Sequence, residues 1–159
     1  MEDFEVRVAH LWGTLDDHED ADFRDLVFAL VDEAPTPGIA DFERACAWDS
    51  TGHSDKAVPL YRSALDHGLE GVRRRRAVLQ LASSLRNVGE VDVALDLLME
   101  ERARTSDELD DALVAILALT LVAAGRPVEA TSFAVEALAA HLPRYQRSMA
   151  AYARGLREG

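Results

Sequence analysis

The chain has 159 residues, of which 48% are hydrophobic, enough for one domain with a real core and too apolar for wholesale disorder. Its formal net charge is −12, and residues 1–55 carry all of the excess, fifteen acids against three bases, so nucleic acid and anionic membranes are repelled while a basic partner or the chain's own arginines are attracted. No apolar run reaches the roughly 18 residues of a membrane span, and the single cysteine, Cys46, excludes an internal disulfide and a multi-cysteine metal site.

The opening MEDFEVR is acidic where a secretory signal would be basic, so a soluble cytoplasmic protein is expected. Phe4, Val8, Leu11, Trp12 and Leu15 fall on one face of a helix, which the acidic stretch Asp16–Asp20 ends. Phe23, Leu26, Val27, Leu30, Val31 and Ala34 give a second helical stripe, stopped by a stiff loop at Pro35–Gly38. Residues 1–37 thus read as an N-terminal helix pair.

Residues 38–71 read as a first helix–turn–helix unit, with helices near 39–51 and 54–67. Gly52 suits the left-handed end of a helix, Ser54 or Asp55 suits the next cap, and Pro59 should bend the second helix. Residues 72–104 repeat the plan, with Val78, Leu81, Ala82 and Leu85 inward, a turn at Gly89, and Ala94, Leu95, Leu97 and Leu98 on the return. Residues 105–142 repeat it again. Thr105–Glu108 reads as a capping box, the helix near 107–124 is apolar almost all round, Gly125 turns the chain, and Pro127 opens the return helix. Pro143 opens a last helix, 143–159, whose Tyr145, Met149, Tyr152 and Leu156 form a stripe expected to fold back over the apolar third unit as a cap. No segment has strand period, so the fold class is all-α.

The three units align on Ala45…Gly52…Ala57, Ala82…Gly89…Ala94 and Ala118…Gly125…Ala130. An alanine at each position lets two helices cross closely, and the glycine lets the chain reverse. This pattern resembles the tetratricopeptide repeat, a helix pair of about 34 residues. The resemblance covers residues 38–142, with Tyr61 at the family's aromatic position and Ala64-Leu65 and Ala137-Leu138 at its closing pair. Phrases such as FERACAWDSTG and LQLASSLRNVGE look like short bacterial members with three degenerate repeats. Glu101-Arg102 departs from the closing pair in the second unit.

The resemblance implies a right-handed α-solenoid whose concave face, lined by the first helix of each pair, holds a peptide or a partner's helix. Its groove positions fall on Ile39, Phe42, Glu43, Cys46, Asp49 and Ser50 in the first unit. In the second they fall on Arg76, Leu79, Gln80, Ser83, Arg86 and Asn87, and in the third on Ala112, Ala115, Ile116, Leu119, Val122 and Ala123. Phe42 and Cys46 stand where the family's carboxylate clamp needs Lys and Asn, so that clamp is not expected.

Arg76, Gln80, Ser83 and Asn87 make one line along a helix with Arg86 beside it, and two guanidiniums and an amide suit a carboxylate or phosphate. With Asp49 and Phe42, these are the expected partner-binding residues. The run Arg73–Arg76 lacks interleaved aromatics and is expected to be a solvated patch that meets acids, such as Asp16–Asp20 or Glu19–Asp25 of a neighbouring copy. Cys46 is expected to be a small buried residue, and His10, His67 and His141 have no sequence neighbours at ligand or triad spacing. Neither a phosphate loop nor a zinc-protease motif is present. The expectation is a protein-binding module for a protein or peptide partner, with no cofactor, no metal, no nucleic acid or membrane partner and no catalysis. The competing expectation is a self-associating module, a homodimer for example, whose groove is filled by its own C-terminal helix.

Overall fold

A computed structural model describes residues 3–158, and every regular element among them is helical. In chain order these are α1 (Phe4–Trp12), α2 (Asp20–Val31), α3 (Pro37–Ser50), α4 (Ser54–Asp66), α5 (Gly71–Asn87), α6 (Val91–Arg104), α7 (Asp110–Ala123), α8 (Pro127–Ala139) and α9 (Gln146–Glu158). One turn of 3-10 helix, Leu15–Asp17, lies between α1 and α2. The chain is therefore all-α, and it divides after Ser84 into two compact units.

The three glycine turns are built alike. Gly52, Gly89 and Gly125 have φ of +81°, +89° and +74°, a region in which a Cβ is strained. The N–H of the following residue reaches back five residues each time: His53 to Trp48 at 2.9 Å, Glu90 to Leu85 at 2.9 Å, Arg126 to Leu121 at 2.8 Å. That 6→1 bond closes each first helix and satisfies one of its free carbonyls. Ala45, Ala57, Ala82 and Ala94 are fully buried, as helix crossings require, whereas Ala118 is only half-buried.

In the first unit, Phe23, Val27 and Val31 of α2 pack with Ala40 and Ala47 of α3, flanked by Leu11, Trp12, Leu15 and Phe28. The expected stripe is off at one position. Leu26 faces solvent and Phe28 turns inward against Trp48, with ring centroids 5.8 Å apart. The Pro35–Gly38 loop is shorter than expected. Thr36 accepts from the Ile39 N–H at 3.2 Å as a helix cap, and Pro37 and Gly38 already lie in α3. Any Cβ on Gly38 would meet the Ala64 carbonyl at 3.1 Å, so this glycine sets the close approach of α3 and α4. His53, not Ser54 or Asp55, is the cap residue of α4, and the helix continues through Pro59.

In the second unit, α6, α7, α8 and α9 pack in sequence order. The capping box forms differently from the sequence reading, because α7 begins at Asp110. The Asp107 carboxylate takes the Leu109 N–H at 2.8 Å, and the Asp110 carboxylate takes the Asp107 N–H at 3.2 Å and the Ser106 hydroxyl. The last helix also turns the other way. Of the expected stripe, Tyr145, Tyr152 and Leu156 are exposed and only Met149 is half-buried, and α9 lies on α8 through its small residue Ala153, whose carbonyl accepts the Ser132 hydroxyl. Arg157 donates to Ser132 at 2.7 Å and Glu136 at 2.6 Å. The guanidiniums of Arg157 and Arg102 stand 4.4 and 4.8 Å from the Phe133 ring centroid, which is where the departing Arg102 finds its use. The outer face of α7 stays open, with Leu119 and Val122 each 56% exposed.

Candidate functional site

The expected partner-binding residues sit on α3 and α5, and they separate by burial. Phe42 is fully buried, and its ring packs against Tyr61 with the Arg76 guanidinium 5.1 Å from its centroid. It is a core residue and offers a partner no free surface. Glu43 and Cys46 are buried too. Burial pushes the Cys46 thiol up to about 12, so the thiolate is suppressed and the side chain acts as a small core group. Its Sγ donates to the Gln80 amide oxygen at 3.3 Å.

Asp49 is half-buried, and its carboxylate is engaged within the fold. Its carboxylate accepts from the Ser84 hydroxyl at 2.8 Å, the Ser54 hydroxyl at 3.2 Å and the Tyr61 hydroxyl at 3.4 Å. Three hydroxyls converging on one carboxylate tie α3 to α4 and α5, and the sequence gives no hint of this. Burial raises the Tyr61 phenol, with Cys46 and Asp49 adding to the effect, so it remains a donor throughout the accessible range.

The residues of α5 keep an outward row. Arg76 is exposed and makes no ion pair within 4 Å among the described residues, though its charge reaches Glu43. Gln80, four residues on, is half-buried and has its oxygen occupied by Cys46, which leaves its NH2 without a bond to an acceptor among the described residues. Ser83, half-buried, makes no hydrogen bond within the described chain. At the last turn of the same helix Arg86 donates to Asn87 at 3.1 Å. A guanidinium, an amide NH2 and a hydroxyl, rising about 10 Å along one helix line, form a row of donors.

The arginine run is more occupied than expected. Arg73 is paired within its own chain, to Glu5 of α1 at 2.6 Å and to Glu43 at 3.6 Å, and Arg75 is buried. Glu43 also accepts the Trp12 Nε1–H at 2.8 Å. Burial raises the Glu43 carboxyl above its ordinary range, opposed by that bond and by the charges of Arg73 and Arg76.

Two histidines do have neighbours, which sequence spacing could not show. His141 Nε2 lies 2.9 Å from Asp111, and His67 Nδ1 lies 3.1 Å from Asp41. Ser63 joins the second group, yet its hydroxyl donates at 2.7 Å to the same Asp41 oxygen, so His67 is not placed as its base. No group of three or more metal-ligating side chains occurs among the described residues, and none of their helices is long and apolar enough to cross a membrane.

A family model described as tetratrico peptide repeat matches residues 38–156, so the match takes in α9 as well as the three glycine-turned pairs. No curated protein and no solved structure matches the chain.

Proposed function

The chain belongs to the tetratricopeptide repeat family, and from that premise we propose that it binds a partner protein through the outward row of α5, residues Arg76, Gln80 and Ser83. Tetratricopeptide repeats are non-catalytic scaffolds that mediate protein–protein interaction. The observation that carries the reading is the row of unsatisfied donors on a packed base. Phe42 and Cys46 beneath are buried and hold Arg76 and Gln80 in place, while Arg76 and Ser83 make no hydrogen bond to an acceptor among the described residues. Such a row suits carboxylates or backbone carbonyls of a peptide or helix, with Arg76 free for a bidentate bond.

Arg76→Glu is expected to weaken the partner's affinity at least about tenfold, since a charged hydrogen bond is worth about 1.5–3 kcal/mol. Because the change also removes the contact with the Phe42 ring and the positive charge facing Glu43, a modest drop in thermal stability is expected with it. Affinity purification with full-length protein, followed by titration of the captured partner against both forms, checks this. Equal affinity for the two would remove the row from the interface.

A second reading, homodimerisation, rests on the open face of α7 and α8. Leu119 and Val122 are exposed there beside Ala115, Ala118, Thr131 and Ala134, around a shallow apolar hollow of about 450 Å³. Because α9 packs on α8 through Ala153, the alternative in which the C-terminal helix fills the groove has no support at this face. Light scattering should then show a dimer that Leu119→Glu converts to monomer. A monomer at every concentration would dismiss dimerisation.

A further inference from the structure

The end of α5 that carries Arg73 and Arg76 is not bare, because α1 lies across it. Glu5 grips Arg73, Trp12 donates to Glu43, and Phe4 and Val8 of the same helix are buried at 8% exposure each. A further ion pair, Arg7 to Glu33 of α2 at 2.8 Å, holds the helix from the other side. The fit is incomplete. Arg73 and Arg76 stand one helical turn apart, so a docked helix with carboxylates one turn apart would satisfy both. One turn past Glu5, α1 presents Val8 and Ala9, and there a cleft of about 230 Å³ remains open with Arg76 on its wall.

We propose that α1 is an intramolecular stand-in for the partner: the face formed by α3 and α5 takes an amphipathic acidic helix, apolar at i and i+4 with carboxylates one turn apart, and that helix docks by displacing α1. This rests on α5 being the contact surface. It specifies the partner's chemistry: a helix resembling α1 that carries a second carboxylate where α1 has Ala9. Charge complementarity favours the exchange, since the partner pairs two arginines where α1 pairs one.

The test uses full-length protein and two labelled peptides, residues 3–15 in native form and with Ala9→Glu, followed by fluorescence anisotropy. The Ala9→Glu peptide should bind at least about tenfold tighter than the native one, and Arg76→Glu in the protein should abolish that gain. Phe4→Ala with Val8→Ala in the protein, which loosens α1, should tighten both peptides. Should that variant fail to fold, Ala9→Glu in the full chain gives the reciprocal check. It should slow amide exchange over residues 4–12 and weaken peptide binding. Peptides of equal affinity, a gain insensitive to Arg76→Glu, or unchanged exchange in the full-chain variant would each overturn the stand-in role. If the native partner needs Arg76 while neither peptide binds, α5 remains the contact surface and α1 is part of the fold alone. If Arg76→Glu affects neither partner nor peptide, both assignments fall. A concentration-dependent dimer dissociated by the native peptide would make the occupant a second copy's α1 and overturn the partner-helix assignment.

Discussion

Phe42→Ala is expected to destabilise the fold by about 3–5 kcal/mol, the range for removing a fully buried phenylalanine. The ring is 0% exposed, and it supports Tyr61 on one side and the guanidiniums of Arg73 and Arg76 on the other. Deleting it opens a cavity and removes the π-face that orients Arg76. The variant should therefore lose partner binding as well, but as a consequence of lost structure. Phe42→Leu separates the two effects, keeping most of the volume and removing the cation–π contact, worth about 0.5–1 kcal/mol at an accessible site. Urea titration followed by circular dichroism should show a large drop in midpoint for alanine and a small one for leucine. A near-wild-type midpoint for Phe42→Ala would mean that the side chain is not interior.

Asp49→Ala should cost about 3 kcal/mol, by a different mechanism. The carboxylate is the shared acceptor of Ser54, Tyr61 and Ser84, and the last two are fully buried. Removing the acceptor leaves the interior Ser84 hydroxyl unsatisfied and leaves Tyr61 only its long bond to the Cys46 sulfur at 3.7 Å, a loss of about 1–3 kcal/mol each. Asp49→Asn retains an acceptor oxygen and should cost less than half as much. Tyr61→Phe removes one stranded donor, so combining it with Asp49→Ala should cost clearly less than the sum of the two single changes. Strict additivity in that double-mutant cycle would show that the bond network is not what Asp49 contributes.

Phe42 and Asp49 mark where the sequence stopped being informative. The turns at Gly52, Gly89 and Gly125 were readable because their requirement, a residue at positive φ closing a helix, is local. The helices and the inward stripe of α5 were readable for the same reason, since periodicity of 3.6 reports a face directly. Periodicity does not report what covers a face. Phe42, Glu43 and Cys46 lie where the repeat puts groove positions, but their burial depends on partners distant in sequence, such as Tyr61, Arg73 and Gln80. The contacts of α1, Glu5 with Arg73 and Trp12 with Glu43, span 68 and 31 residues, beyond any motif spacing. The last helix failed for another reason. Hydrophobicity favoured the face with Tyr145, Tyr152 and Leu156, but Ala153 permits the close approach to Ser132, and Arg157 completes that contact with Glu136. The α5 row was legible as a helical line. Which of its groups remain free was not, because Cys46 occupies one end of Gln80 and Phe42 lies beneath Arg76.

The outward face of α5 as the contact surface is tested most directly by site-specific photocrosslinking in the native cell. Val72 is exposed one turn before Arg76 on the same helix line, and Leu26 of α2 is an exposed apolar control. A crosslinker at position 72 should capture a discrete partner that Arg76→Glu removes and that a crosslinker at position 26 does not capture. Capture from position 26 alone, or capture from position 72 that persists with Arg76→Glu, would contradict the assignment.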